Sequence, residues 1–246
     1  MKAIAMAGKG GTGKTTVAGL VVKYLVEGGK KPVLCVDADP NSNLGEILGV
    51  SYDTTVISTV DKIMEKKEDL PAGITKARLL DFELQDAIIE SAGFDMLVMG
   101  RTEGPGCYCY ANDLLRKFMG DLSENYSYMV MDNEAGMEHL SRRTTRNVDI
   151  LMTVANPTAV SLKSAARIHE TAQGLKLGIK KSVLLINEIG VNLPGFEQDL
   201  PMELGGKIPY DEEVARAAVK GTPVFDFPPD SPAVRAVNSI MEKLGI

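Results

Sequence analysis

The 246-residue chain has only three cysteines. The number is odd, and Cys107 and Cys109 stand two apart, which is not a disulfide framework. Such sparse thiols fit a reducing, cytoplasmic setting. Long apolar runs are missing too. None approaches the roughly 20 residues that a membrane-spanning helix needs, and the apolar stretch after Met1 reaches its glycines too soon for a signal segment. Residues 233–246 have the pattern of a short amphipathic helix. With only Arg235 and Lys243 as basic residues, it makes a poor membrane-surface element. Basic excess is also absent: 27 Lys and Arg against 33 Asp and Glu give a net charge of −6. That disfavours nucleic acid as the main partner, because phosphate backbones select a basic face. No repeat, low-complexity tract or long linker interrupts the chain.

What is present is an ordinary globular composition, 44% apolar and 24% charged. A chain of this length buries roughly 70–75% of its unfolded surface and needs no covalent staples. Short apolar runs recur at 2–7, 32–36, 96–99, 128–131, 150–154 and 182–186. They do not alternate, so both faces of each strand should be covered, as in a parallel sheet. Helical spacing fills 14–27, which ends at Gly28-Gly29, and also 112–122 and 162–175. This rhythm predicts one α/β domain over 1–246, with a mostly parallel sheet between two helical layers. The strand ends carry polar chemistry in Asp37 and Asp39, Arg101, Asp132, Asn156 and Asn187. Ligands in open α/β sheets bind along that edge.

Gly8-Lys9-Gly10-Gly11-Thr12-Gly13-Lys14-Thr15 matches the phosphate-loop pattern G-x-x-x-x-G-K-[ST]. Its glycines let backbone N–H groups turn inward as an anion nest, and the following helix adds its positive end. Gly8 through Thr16 should therefore hold a nucleotide, with Lys14 on the β/γ-phosphates and Thr15 on Mg²⁺. The second strand ends at Asp39, read as the group that orients the attacking water. The fourth ends at Asp132 in the arrangement that holds magnesium, followed by Asn133-Glu134-Ala135-Gly136. Thr15, Asp39 and Asp132 are the expected magnesium set. Cys35 lies in an apolar run and reads as core. Residues 137–146 are basic and read either as a solvated helix end or as a switch contacting a partner. With no N-K-x-D signature, ATP is favoured over GTP.

Cys107-Tyr108-Cys109 lies among glycines and a proline, in a loop before a helix expected near Asn112. Two thiols under-coordinate a soft metal, and a two-fold dimer would supply four, suiting Zn²⁺ or Ni²⁺. Ordinary loop thiols and a redox disulfide remain alternatives.

Lys9, just after the first glycine, resembles the extra lysine of the deviant Walker A motif in the MinD/ParA-like ATPases. That resemblance implies a homodimer in which Lys9 acts on the partner's nucleotide; the alternative is a solvent lysine. It also implies that Asn187 reads adenine and that the Pro209–Asp211 loop covers the base. Residues 8–16, Cys107-Tyr108-Cys109 and Asp132 through Arg143 together are similar to the CooC-type ATPases, nickel-insertion factors of carbon monoxide dehydrogenase. This likeness implies ATP-controlled dimerisation, metal held by Cys107 and Cys109 of two subunits, and delivery to carbon monoxide dehydrogenase or the related acetyl-CoA synthase. A ParA/MinD-like partition or positioning ATPase is the alternative reading.

Overall fold

The computed structural model describes residues 1–65, 75–101, 109–134, 147–174, 178–189 and 202–246. The strands are β1 (Lys2–Ala7), β2 (Val33–Ala38), β3 (Ile89–Glu90), β4 (Asp95–Val98), β5 (Tyr128–Asn133), β6 (Asn147–Ala155), β7 (Gly178–Ile189) and β8 (Glu203–Pro209). They form one sheet in the order β3-β4-β2-β5-β1-β6-β7-β8. Every pairing is parallel except β3 with β4, where Ile89 faces Met96. All six apolar runs are strands. Two further strands went unread: β3 is two residues long, and β8 (ELGGKIP) has no apolar run to signal it.

The helices are α1 (Lys14–Glu27), α2 (Leu44–Leu48), α3 (Val56–Glu65), α4 (Lys76–Asp86), α5 (Cys109–Ser123), α6 (Ala159–Gly174), α7 (Glu212–Lys220) and α8 (Pro232–Lys243). Strand alternation sorts the core onto two faces. Ile4, Met6, Cys35, Val130, Met152 and Val154 pack with α1, α2 and α8, whereas Ala5, Leu34, Met131 and Leu151 pack with α3, α4, α5 and α6. The β2 strand is buried at every residue, as a sheet covered on both sides requires. Each fully buried Leu, Ile or Met contributes about 1.5–3 kcal/mol relative to exposure. Cys35 is 0% exposed and burial pushes its thiol up, so it is core as expected.

The amphipathic pattern near the C-terminus becomes α8. Its apolar residues Ala233, Val234, Val237, Ile240 and Met241 are buried, and the helix packs on β8 and α1. That face is spent inside the chain. Among the described residues no helix is long and apolar enough to cross a membrane.

Candidate nucleotide site

The carboxyl end of β1 runs into the glycine loop, which closes on itself. Thr12, 2% exposed, donates from Oγ1 to the Lys9 carbonyl at 2.8 Å, and its amide donates to the same oxygen at 3.3 Å. Helix α1 starts at Lys14 with Gly13 as N-cap at φ 84°, with no side-chain cap and no acidic residue in its first turn. Its first amides and its positive end are therefore left for an anion. At two loop positions a side chain would collide with its surroundings. A Cβ at Gly8 would stand 2.3 Å from the Val154 carbonyl oxygen, and one at Gly13 would stand 2.3 Å from Asn187 Nδ2. Lys14 is buried at the loop, whereas Lys9, Gly10 and Gly11 are exposed.

Asp37 and Asp132 are register partners on β2 and β5, and the alternation puts both on the α1 face. Asp132 is 1% exposed, and neither carboxylate oxygen has a hydrogen-bond partner. Burial pushes its carboxyl up to about 6, against the Thr15 hydroxyl and the Lys14 ammonium, which pull it down. Thr15 acts on it without closing a bond of standard geometry. A buried carboxylate bare of donors is costly. Together with a hydroxyl from the phosphate loop, it is a hard-oxygen set of the kind magnesium takes, completed by phosphate and water rather than by a full protein cage. No group of three or more His, Cys, Asp or Glu that could hold a metal ion occurs among the described residues.

Asp39 lies beyond β2, half-buried, and its Oδ1 accepts from the Asn41 amide at 2.9 Å. Asp37 was read only as a strand-end acid. It is 0% exposed, with Oδ2 accepting from the Leu44 amide at 2.9 Å and Oδ1 from the Asp39 amide at 3.2 Å. Burial pushes it up to about 7; the Leu44 and Asp39 amides oppose the shift, and the charges of Asp132 and Asp39 add to it. The signal was available: period 2 along a wholly buried strand puts Asp37 on the same face as Val33 and Cys35.

Beside the glycine loop is a cleft of about 140 Å³ lined by Gly13, Thr16, Asn187, Pro209, Tyr210 and Asp211, among others. The residues expected to meet the base therefore adjoin the loop expected to meet the phosphates. Asn187, 8% exposed, donates from Nδ2 to the Thr12 carbonyl at 2.9 Å. Asp211 sits in the cleft wall with its carboxylate turned to structural use. It caps α7 through the Glu213 amide at 2.9 Å and takes the Ser231 hydroxyl and the Ala233 amide at the start of α8. Burial raises this carboxyl, but the Ser231 hydroxyl and the backbone amides outweigh it and hold it below the usual range. Tyr210 is 55% exposed beside it.

Of the two cysteines expected to bind metal, Cys107 lies outside the described residues, as do 135–146. Cys109 is the first residue of α5, so the helix expected near Asn112 begins earlier and one thiol-bearing residue belongs to its first turn. Arg101 is exposed beyond β4.

The CobQ/CobB/MinD/ParA nucleotide-binding domain matches residues 3–224. An uncharacterized ATP-binding protein of Methanocaldococcus jannaschii is 38% identical over 98% of this chain and 97% of its own. The carbon monoxide dehydrogenase accessory protein CooC of Rhodospirillum rubrum is 30% identical over 98% of this chain and 97% of its own. The fold is shared with the septum site-determining protein MinD of Pyrococcus horikoshii, solved with Mg-ADP. It superposes with a TM-score of 0.69 at 22% identity, over 99% of this chain and 95% of that one. A domain match of this extent makes the chain a member of the CobQ/CobB/MinD/ParA nucleotide-binding family, and within it an ATP-binding protein of MinD/ParA type.

Proposed function

We propose that the chain is an ATP-hydrolysing metallochaperone that dimerises with ATP and carries nickel to carbon monoxide dehydrogenase or the related acetyl-CoA synthase. The observation that carries the hydrolytic part is Asp132, a buried carboxylate without a donor, set against Thr15 and Lys14 of the phosphate loop. The α1 amides and Lys14 hold the β/γ-phosphates. Thr15, Asp132 and Asp39 would hold magnesium, which when bound offsets phosphate charge. Asp39 orients water toward the γ-phosphorus. The water oxygen–phosphorus bond forms as the bond to the β-phosphate oxygen breaks, giving ADP and phosphate, with one proton of the water kept on the phosphate and the other released to solvent. Lys9, exposed at the loop tip, offers its ammonium to the partner's nucleotide, where charge develops during transfer.

The metal-delivery part is supported by Cys107-x-Cys109 and by the 30% identity to CooC along nearly the whole chain. Two thiols from each of two subunits give the soft tetrad that suits Ni²⁺ or Zn²⁺ as cargo. The test measures ATP turnover and nickel-dependent activation of metal-free client enzyme with one preparation. Wild type should do both, Lys14→Ala neither, and Cys107→Ala only the first. Client activation undiminished in Cys107→Ala contradicts the metal route.

A partition or positioning ATPase is the second reading, favoured by the likeness to the Pyrococcus horikoshii MinD fold. The buried apolar face of α8 and the net charge of −6 speak against membrane or DNA as its surface. Retention on liposomes or DNA in the presence of ATP would favour it.

A further inference from the structure

Asp37 is buried beside Asp132, and nothing in the proposed reaction uses it directly. Its two carboxylate oxygens go to two different backbone donors, the Asp39 amide at 3.2 Å and the Leu44 amide at 2.9 Å. Leu44 is the first residue of α2, whose N-cap Asn43 makes no side-chain capping bond. Asp37 thus supplies, from seven residues upstream, the acceptor that the local cap lacks. One side chain closes both ends of the 39–44 loop.

Between those ends the loop is wound around Asp39. The Ser42 amide donates to the Asp39 carbonyl at 2.9 Å, and Ser42 Oγ donates to the same oxygen at 3.2 Å. The Asn41 amide takes Asp39 Oδ1 at 2.9 Å, and Ser42 is left at φ 50°. Asp39 therefore has its amide, its carbonyl and one carboxylate oxygen fixed.

We propose that Asp37 is the positioning residue for Asp39: its carboxylate clamps the 39–44 loop at both ends and so sets where the Asp39 carboxylate points. The chemistry explains why an acid stands there at all. Burying a carboxylate next to a second carboxylate is unfavourable, and a single hydrogen bond to the loop would need only Asn or Ser. Only a carboxylate presents two acceptor oxygens to two separate N–H groups. The inference rests on the reading of Asp39 as the group that orients water.

The test is steady-state ATP turnover of the full chain, with hydrogen exchange at the Asp39 and Leu44 amides. Asp37→Ala should lower kcat on the order of 100-fold, the scale of a reactive group displaced by about 1 Å. KM for ATP should stay within about twofold, because Asp37 hydrogen-bonds to the 39–44 loop and does not line the cleft beside the phosphate loop. Asp37→Asn keeps one acceptor and should fall between Ala and wild type. Both amides should lose protection while those of α1 and β1 keep theirs. An unchanged kcat, or a KM that rises instead of a kcat that falls, overturns the proposal. If the Ala variant does not fold, the isosteric Asn variant decides by the same two readings. If wild type turns over no ATP, the ATPase reading fails by itself. The clamp is then judged by exchange alone: lost protection at Asp39 and Leu44 supports it, and unchanged protection overturns it.

Discussion

Asn187 Nδ2 donates to the carbonyl oxygen of Thr12 at 2.9 Å, tying the end of β7 to the phosphate loop. The bond fixes the orientation of the amide. With nitrogen on Thr12, the oxygen remains, and an acceptor there suits the 6-amino group of adenine and rejects the 6-oxo group of guanine. Asn187→Ala should therefore weaken ATP binding about tenfold, the scale of one buried hydrogen bond lost, and shrink the preference for ATP over GTP. Calorimetric titration with both nucleotides checks this. An ATP/GTP ratio equal to that of wild type removes Asn187 from base recognition.

Gly8→Ala should disturb the loop from within. The added Cβ meets the Val154 carbonyl oxygen at 2.3 Å, on a core strand that has no room to yield, at φ 150°. Strain of about 1–3 kcal/mol corresponds to a melting point lower by about 2–12 °C for a chain of this size. Gly10→Ala meets nothing within 4 Å and should leave the melting point in place. Calorimetric scans of both variants make the comparison, and equal melting points would refute the packing argument.

Asp132 and Asp37 keep their protons to higher pH in the folded chain than in the unfolded one, about 6 and about 7 against 3.8. Their contribution to stability is whole below the unfolded value and is lost as pH rises through the folded values. Asp132→Asn cannot ionise there. Without nucleotide or magnesium, its melting point relative to wild type should rise between about pH 4 and pH 7 and level off above. A difference that stays constant across that range would contradict the assignment of a buried, unpaired carboxylate.

Lys9→Ala should separate binding from turnover. Lys9 is exposed, so one subunit should bind ATP within about threefold of wild type, as for a solvated surface charge. Turnover should fall about 10³-fold, the low end of what a finger-type cation contributes. Unchanged turnover would make Lys9 a solvent lysine.

The helices and strands that were legible were those with their own pattern. Residues 14–27 carry helical spacing and become α1 to the residue, and 2–7 becomes β1. Elements defined by neighbours left no such mark. The two-residue β3 exists because Ile89 pairs with Met96. The β8 strand lies against β7 through glycines, with Ile240 filling the space where a Cβ of Gly206 would stand. In the site, the phosphate loop was legible because its backbone geometry demands glycine at fixed offsets. The cleft also followed, since Asn187, Pro209 and Asp211 do line it with Gly13. What spacing cannot reveal is how each polar group spends its bonds. Asp37 and Asp39 look equivalent as letters, yet one is buried on a strand holding two amides and the other heads a turn. Asp211, read as a nucleotide contact, has its carboxylate committed to the starts of α7 and α8, a three-way junction made by residues up to 22 apart.

The proposed function turns on whether ATP closes a dimer around a metal. Sedimentation combined with metal analysis tests it most directly, on the full chain with Ni²⁺ or Zn²⁺ present. With a non-hydrolysable ATP analogue the chain should be a dimer holding about one metal ion per two chains, as a shared four-thiolate site requires. With ADP it should be a monomer, and the Cys107→Ala variant with the ATP analogue should be a dimer without the metal. The same mass in both nucleotides, or metal retained by the Cys107→Ala dimer at the wild-type ratio, would contradict it.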